Sequence, residues 1–169
     1  PFAKLPKLKK IVASRNQVKS LKPLKKLKNL EHLDITSNNI SSLSHLSKNT
    51  ILKILLAPNN QIESLKGLGN NEQLIRLTLN NNKLTSLEPI GNCKKLESLH
   101  LNNNTITDVS ILEYFANLKE LYLFNTKIES IKAFRDLENI EILSVLGTPL
   151  KSLQGVEKLS KLRELYCQE

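Results

Sequence analysis

The sequence of 169 residues has few of the residue types that mark a disulfide-bonded, metal-binding or membrane protein. It contains two cysteines, Cys93 and Cys167, which we interpret as buried small apolar residues rather than as a disulfide or a metal pair. No apolar run approaches the ~20 residues of a membrane-spanning helix. The first residues also do not have the charged-then-apolar order of a secretory signal. We therefore expect a reducing compartment, cytoplasmic or nuclear.

Groups suited to catalysis are also scarce. The three histidines, His32, His45 and His100, are far apart in the sequence, and no serine, cysteine or acid is spaced to complete a triad or a metal set. No glycine-rich loop could cradle a phosphate. We predict that the protein is not an enzyme and that it holds no metal or cofactor.

The sequence is instead dominated by a repeat of 22 residues. Counting the first residue of each repeat as position 1, that position holds Leu8, Leu30, Leu52, Leu74, Leu96, Leu118, Ile140 and Leu162. Position 4 is also apolar in every repeat, from Ile11 to Leu165. Position 9 holds Asn16, Asn38, Asn60, Asn82 and Asn104, followed by Thr126 and Thr148.

Each repeat has the pattern of one short strand followed by irregular turns. Positions 4 and 6 are apolar between mainly polar neighbours, which indicates a strand with one buried face. Apolar residues then return every three residues, a spacing typical of 3₁₀ turns. Because one repeat cannot bury its own apolar edge, the repeats must stack. We predict a right-handed, curved α/β solenoid with a parallel β-sheet on its concave face and 3₁₀ or irregular turns on its convex face.

The asparagine at position 9 has a structural explanation. Where the chain leaves the strand and turns inward, backbone groups lose their ladder partners, and a buried carboxamide supplies two donors and an acceptor in their place. A threonine offers fewer hydrogen bonds. We therefore expect looser turns at Thr126 and Thr148.

The repeat runs through the whole sequence without a linker. We predict a single domain over residues 1–169, with repeats that begin at residues 8, 30, 52, 74, 96, 118, 140 and 162. The sequence begins and ends inside a repeat, whereas solenoids normally carry polar terminal caps. We expect it to be part of a longer repeat protein; the alternative is that short irregular tails serve as caps.

The net charge of +9 is concentrated at one end. Residues 1–30 contain nine lysines and one arginine without any acid, whereas residues 31–169 contain fifteen basic and sixteen acidic residues. Such a basic end can attract nucleic acid or another anionic partner. The candidate anion-binding residues are Lys9, Lys10, Arg15, Lys22, Lys25, Lys26 and Lys28. No aromatic residues are interleaved to stack bases, so a solvated, solubilising cluster is the favoured interpretation.

The main candidate site lies on the concave face of the predicted sheet, where positions 3, 5 and 7 point away from the core. The chain has seven aromatic residues, and three of them fall at these positions. We predict a partner-binding patch of His100, Tyr122, Phe124, Ile142, Leu146 and Tyr166, flanked by Glu120 and Glu164. Ile54 and Leu56 form a smaller second candidate. The alternative is that these side chains only pack on one another, or that further repeats cover Tyr166.

Residues 74–84, with the sequence LIRLTLNNNKL, resemble the 22-residue leucine-rich repeat class found in the regulatory subunit of protein phosphatase 1 and in bacterial internalins. In the phosphatase subunit, acidic and aromatic side chains on the concave strands grip the enzyme. Asp34, Tyr122 and Tyr166 fit that pattern, whereas Val12, Thr78 and Ser144 at the same position do not.

Internalin-like features are residues 105–109, with the sequence TITDV, and Pro89. Internalins are secreted proteins. The resemblance implies a non-enzymatic scaffold or regulatory adaptor that binds a protein partner on its concave face, with a phosphatase-regulatory role as its narrower form. Two alternatives remain open at this point: anion or nucleic-acid binding through the lysine-rich end, and a secreted internalin-like adhesin.

Overall fold

The computed structural model describes residues 4–168, and the repeats form the predicted solenoid. Eight strands, one from each repeat, pair in chain order in a single parallel sheet. They are β1 (Lys10–Val12), β2 (His32–Asp34), β3 (Ile54–Leu56), β4 (Arg76–Thr78), β5 (Ser98–His100), β6 (Glu120–Tyr122), β7 (Ile142–Ser144) and β8 (Glu164–Tyr166). One strand per repeat was predicted; the strands occupy positions 3–5, so the apolar position 6 follows the strand rather than lying in it.

Every strand pairs in register with the next. Leu33 lies opposite Leu55, which lies opposite Leu77, so that residues 22 apart form columns across the sheet. This register follows from the constant length of the repeat. It also places all position 5 side chains in one row on the concave face, because successive side chains of a strand point to opposite faces.

The opposite, convex side consists of turns and short 3₁₀ helices. Between residues 5 and 168 there are six such helices and no α-helix. They are η1 (Lys22–Lys26), η2 (Ser44–Leu46), η3 (Glu88–Ile90), η4 (Ser110–Tyr114), η5 (Lys132–Asp136) and η6 (Val156–Lys158). A proline occupies the first turn of η1 and of η3, where its missing N–H costs nothing. The prediction of 3₁₀ and irregular turns is confirmed.

The core lies between the sheet and these turns as one continuous layer of leucine and isoleucine, with Phe115 and Phe134 as its largest fully buried side chains. Two polar residues, Asn49 and Asn71, interrupt the apolar column at position 20 and are fully buried. The Asn49 amide donates to the carbonyl of Leu27, one repeat earlier, at 2.7 Å. The Asn71 amide donates to the carbonyl of Asn49, also at 2.7 Å. These bonds tie successive repeats together through the core.

The two cysteines differ from each other. Cys93 is buried as predicted, and burial raises the pKa of its thiol to about 12. The prediction that Cys167 is buried is wrong, because this residue is exposed. It follows β8, and within the described residues no strand packs against the outer edge of β8.

Four of the five position 9 asparagines perform the predicted role, whereas Asn16 is exposed and donates only to carbonyls of its own repeat. Asn104 donates to the carbonyls of Leu79 and Leu101 at 3.0 and 2.8 Å, and its Oδ1 accepts from the N–H of Leu84 at 2.9 Å. Equivalent bonds recur at Asn38, Asn60 and Asn82. The Thr126 hydroxyl donates only to the carbonyl of its own repeat, at 2.8 Å from Leu123 O. Threonine thus makes fewer hydrogen bonds than asparagine at this position, and the looser turns expected at Thr126 and Thr148 stay a prediction.

One repeat, that of β3, has a turn in place of a 3₁₀ helix, at Gly67. The φ of Gly67 is +109°, a value that side chains disfavour. A Cβ atom at this position would lie 2.6 Å from the Ser44 Cα and would clash with the Leu43 carbonyl. The close approach of two turns on the convex side therefore requires glycine here.

Candidate functional site

The register of the sheet brings the predicted concave residues into one row. His100 lies opposite Tyr122, Tyr122 opposite Ser144, and Ser144 opposite Tyr166. Phe124 and Leu146 follow on the same face, two residues beyond this row, and Ile142 lies two residues before it. We call His100, Tyr122, Phe124, Ile142, Leu146 and Tyr166 the concave patch. It spans β5 to β8 without interruption.

The aromatic side chains of the concave patch are partly open to solvent. The rings of His100 and Tyr122 lie in contact, with centroids 4.4 Å apart and planes inclined by 47°. Phe124 is 41% exposed and Tyr166 is 44% exposed. Side chains of this size contribute nothing to the core from these positions. Within residues 4–168 the patch is therefore a partly exposed apolar surface.

A polar network adjoins the patch at β5 and β6. The Ser98 hydroxyl donates to Glu120 Oε2 at 2.8 Å, and His100 Nε2 lies 3.0 Å from that hydroxyl and 3.5 Å from the same carboxylate oxygen. Burial lowers the pKa of His100, and the hydrogen bond to Glu120 offsets part of that effect. The hydrogen bond from Ser98 lowers the pKa of Glu120. At neutral pH the site thus holds a neutral imidazole beside an ionised carboxylate.

Ser98 was not among the predicted site residues. It is almost fully buried although it occupies position 3, because its neighbours in the network cover it. The sequence offered one signal, a small hydroxyl residue between the larger position 3 side chains Arg76 and Glu120.

The second acidic residue at the patch is Glu164. Glu120 and Glu164 stand on either side of Ile142, since Ile142 pairs with both in the sheet. The Tyr166 hydroxyl donates to Glu164 Oε2 at 2.7 Å. Burial raises the pKa of the Tyr122 phenol, and the charges of Glu120 and Glu164 raise it further. The patch is therefore aromatic in its middle and negatively charged at position 3.

The smaller predicted group lies apart from the patch. Ile54, Leu56 and Asp34 lie on β2 and β3, and β4 separates them from His100. The Asp34 carboxylate accepts from the backbone N–H of Thr36 at 2.9 Å and from its hydroxyl at 2.6 Å. The Asp34 carboxylate is thus hydrogen-bonded by its near neighbour Thr36. Ile54, Leu56 and Asp34 lie apart from the concave patch and do not extend it.

The lysine-rich end does not form one surface either. Lys10 lies on β1 and Lys9 just before it, whereas Lys22, Lys25 and Lys26 lie on η1. Strand and 3₁₀ helix are on opposite sides of the core, with buried Leu24 facing inward from η1. Lys9 is also paired with Glu31 at 3.0 Å. The structure divides the candidate anion-binding residues, Arg15 and Lys28 included, between two faces of the solenoid.

A partly exposed row of asparagines borders the concave face, and it was not predicted from the sequence. Position 8 adopts a left-handed conformation in each repeat from Arg15 to Gly147, with φ between 52° and 62°. Nδ2–Oδ1 bonds of 2.7, 2.7 and 2.9 Å link Asn59, Asn81, Asn103 and Asn125 in order. The signal was the return of asparagine every 22 residues at a second position. The row is polar and uncharged.

Other kinds of site find no support in residues 4–168. No group of three or more histidine, cysteine, aspartate or glutamate side chains is placed to hold a metal ion there. Within the same residues, no helix has both the length and the apolar character needed to cross a membrane.

Comparison with known proteins agrees with the architecture. A family model described as leucine-rich repeats in two copies matches residues 6–48 and 72–114. No curated protein sequence matches the chain.

Solved structures of three proteins share the fold. An internalin, InlF, from Listeria monocytogenes is 26% identical, with a TM-score of 0.93 over 97% of this chain and 49% of its own. A leucine-rich repeat protein from Leptospira interrogans is 27% identical, with a TM-score of 0.92 over 99% of this chain and 45% of its own.

The third structure is the ectodomain of the Arabidopsis thaliana membrane receptor kinase GASSHO1/SCHENGEN3 in complex with Casparian Strip Integrity Factor 2. It is 23% identical, with a TM-score of 0.86 over 98% of this chain and 22% of its own. The chain thus spans about half the length of the internalin (49%) and a smaller share of the receptor. The repeat, the parallel sheet and the family match together show that the chain belongs to the leucine-rich repeat family.

Proposed function

We propose that this protein is a non-enzymatic scaffold that binds a protein partner on its concave face, with Tyr122 and Phe124 as the main anchors. The leucine-rich repeat fold is typical of protein–protein interaction domains, and its members generally act as binding scaffolds. The observation that carries the proposal is the concave patch, a continuous aromatic and aliphatic surface across four strands.

The energetics of such a patch favour binding. Contiguous exposed apolar surface commonly marks an interaction site, and tyrosine is among the residues that dominate binding energy. The contact with His100 restrains the Tyr122 ring, so less side-chain freedom is lost when a partner docks. Phe124 stands beside it, and its backbone N–H is fixed by Asn102 Oδ1 at 2.8 Å. The Tyr122 ring and the Phe124 backbone are thus held in place before binding.

The Arabidopsis ectodomain offers a parallel, since its structure holds a bound partner, Casparian Strip Integrity Factor 2. A phosphatase-regulatory role is a narrower form of the proposal; its support is the resemblance at Asp34, Tyr122 and Tyr166. A secreted, internalin-like role is a second narrower form, supported by the likeness to the Listeria internalin. Both forms use the same concave patch.

The test is capture of a partner by the immobilised protein and by the Tyr122→Ala/Phe124→Ala variant, followed by affinity measurement with the purified partner. Each anchor should contribute about 2 kcal/mol, so the double variant should bind roughly a thousand-fold more weakly. Tyr114→Ala is the matched control, because Tyr114 is 55% exposed but lies on η4, on the convex side. Thermal unfolding of all variants confirms that the fold is intact.

Unchanged affinity in the double variant would exclude Tyr122 and Phe124 as anchors. A partner that survives both substitutions but dissociates at high salt would move the function to the lysine-rich end, because binding to anions weakens steeply with salt. Loss of binding in Tyr114→Ala alone would move it to the convex side.

A further inference from the structure

Four side chains of the concave patch and its rim surround one slot. Tyr122 and Tyr166 stand on either side of Ser144, and Glu120 and Glu164 stand on either side of Ile142. Neighbouring strands are about 4.8 Å apart, so each facing pair is separated by roughly 10 Å. Along a strand, residues two apart are separated by about 6.6 Å. Ile142 and Ser144 form the floor of this slot.

The two carboxylates of the slot differ from the glutamates on the neighbouring edge of the sheet. Those at position 2 have cationic partners: Glu31 with Lys9 at 3.0 Å and Lys53 at 2.7 Å, Glu97 with Lys119 at 2.8 Å, and Glu141 with Arg163 at 3.5 Å. Among the described residues, Glu164 has no basic partner and Glu120 has only His100. Arg76, two strands from Glu120, forms no ion pair with it, although its charge acts on the carboxylate. The negative charge of the slot is therefore uncompensated.

A buried polar group also faces the slot. Ser144 occupies position 5, on the concave side, and is only 4% exposed between its neighbours. Within residues 4–168 its hydroxyl has no side-chain or backbone hydrogen-bond partner. Among the described residues, only the Oδ1 atoms of Asn49 and Asn71 are both fully enclosed and unpaired, so the Ser144 hydroxyl keeps some access to the slot. The floor of the slot thus offers a hydroxyl donor and acceptor between two tyrosines.

We propose that this slot binds an arginine side chain of the protein partner, a step that rests on the proposed scaffold function. A guanidinium group centred over the floor would lie about 6 Å, measured along the sheet, from the backbone positions of the four surrounding residues. Tyrosine and glutamate side chains can span this distance, and tyrosine rings attract cations through cation–π interaction. Its planar shape stacks on aromatic rings, and its five donors match carboxylates better than a lysine ammonium does. No lysine or arginine occupies positions 3, 5 or 7 of β5–β8 to compete for the slot.

The probe is the peptide acetyl-Gly-Arg-Gly-amide, compared with its citrulline analogue, which has the same shape without the charge. NMR titration of the full chain would follow the ring resonances of Tyr122 and Tyr166 and the backbone amide of Ser144. We expect saturable shifts at these residues with the arginine peptide. The citrulline peptide should bind at least five-fold more weakly, and the arginine peptide should weaken as salt is raised.

The variant Glu120→Gln/Glu164→Gln should reduce binding of the arginine peptide at least five-fold. Its matched control is Glu88→Gln/Glu138→Gln, which removes the same charge from exposed residues off the concave face. Equal binding of the citrulline peptide, tighter binding of a lysine peptide, or an unaffected Glu120→Gln/Glu164→Gln variant would each overturn the proposal.

The peptide titration separates this proposal from the scaffold function. If the arginine peptide fails to bind while partner binding still requires Tyr122 and Phe124, the slot is wrong and the scaffold function stands. If the peptide binds the slot but no partner depends on Tyr122 and Phe124, these residues are not the anchors that the proposed function requires, and the arginine site is supported on its own.

Discussion

The imidazole of His100 and the phenol of Tyr122 lie against each other on neighbouring strands, with ring centroids 4.4 Å apart. They meet because the repeat length never varies, so the same position of β5 and β6 falls side by side. The contact covers one face of the Tyr122 ring and buries much of the imidazole. Stability, pH response and recognition are therefore linked at this pair.

We expect His100 to make the stability of the protein fall in mild acid. Burial lowers the pKa of His100 in the folded state below the ordinary value of 6.5. On acidification the unfolded chain therefore takes up the proton before the folded protein does. The free energy of unfolding keeps its full value above about pH 6.5 and decreases as the pH falls from there towards the pKa of His100 in the folded state. Two charged groups act on His100: Glu120 raises its pKa and Arg76 lowers it.

The measurement is urea unfolding at pH 7.5 and 5.5 for the wild type and for His100→Gln. Between pH 7.5 and 5.5, the free energy of unfolding should decrease less in His100→Gln than in the wild type. NMR titration of the His100 imidazole in the wild type should give a midpoint below 6.5. The pKa of His32 is also lowered by burial, so His32→Gln measures its separate share. A midpoint above 6.5 for His100 would contradict the prediction.

Adjacent asparagines should differ in their contribution to stability. Asn104 is buried and its side chain bonds backbone groups of two repeats, whereas Asn103 is half-buried and its side chain bonds only the neighbouring asparagines of its row. Asn104→Ala leaves buried groups unpaired and should cost about 3 kcal/mol or more of unfolding free energy. Asn103→Gly keeps the left-handed conformation available and should cost under about 1 kcal/mol. Chemical denaturation measures both; equal losses would refute this division of roles.

Thr126 offers a test in the opposite direction. An asparagine in its place should donate to the Leu101 carbonyl and accept from the Ile106 N–H, the groups that correspond to those bound by Asn104 one repeat earlier. We expect Thr126→Asn to raise the free energy of unfolding by about 1 kcal/mol, the usual net value of an added hydrogen bond. The comparison variant is Thr126→Ala, which removes the one bond that the threonine makes. A less stable Thr126→Asn protein would mean that the later turns cannot accommodate the carboxamide.

Substitutions of Gly67 and Gly155 distinguish the cost of backbone strain from the cost of a steric clash. Both occupy position 16 with φ of +109°, but a Cβ at Gly155 would meet nothing closer than 3.7 Å, whereas at Gly67 it would clash with the Leu43 carbonyl. Gly155→Ala should therefore cost only the strain, about 1–3 kcal/mol. Gly67→Ala should cost clearly more, because two turns must also move apart. Thermal or urea unfolding gives the two losses, and similar values would show that the turns yield easily.

The sequence alone was sufficient for the architecture. A constant spacing of 22 residues leaves no choice of register, so one strand per repeat, the parallel order and the 3₁₀ turns were all predictable. The function of the position 9 asparagines was predictable for the same reason, since a polar residue in a buried column must satisfy backbone groups. Membership of the concave patch also followed from the register, with His100 and Tyr122 as neighbours.

The tertiary structure decided what local patterns do not encode. Whether Ser98 and Ser144 are exposed depends on how neighbouring side chains lean over them; both lie at concave positions and yet are only 4% exposed. The lysines of the first thirty residues are close in sequence but lie on opposite sides of the core, because one turn of the solenoid separates strand from 3₁₀ helix. Cys167 has an apolar position in the repeat yet is exposed, since burial comes from the next repeat rather than from its own. Periodicity thus determines which face a residue occupies, and only contacts between repeats determine what covers it.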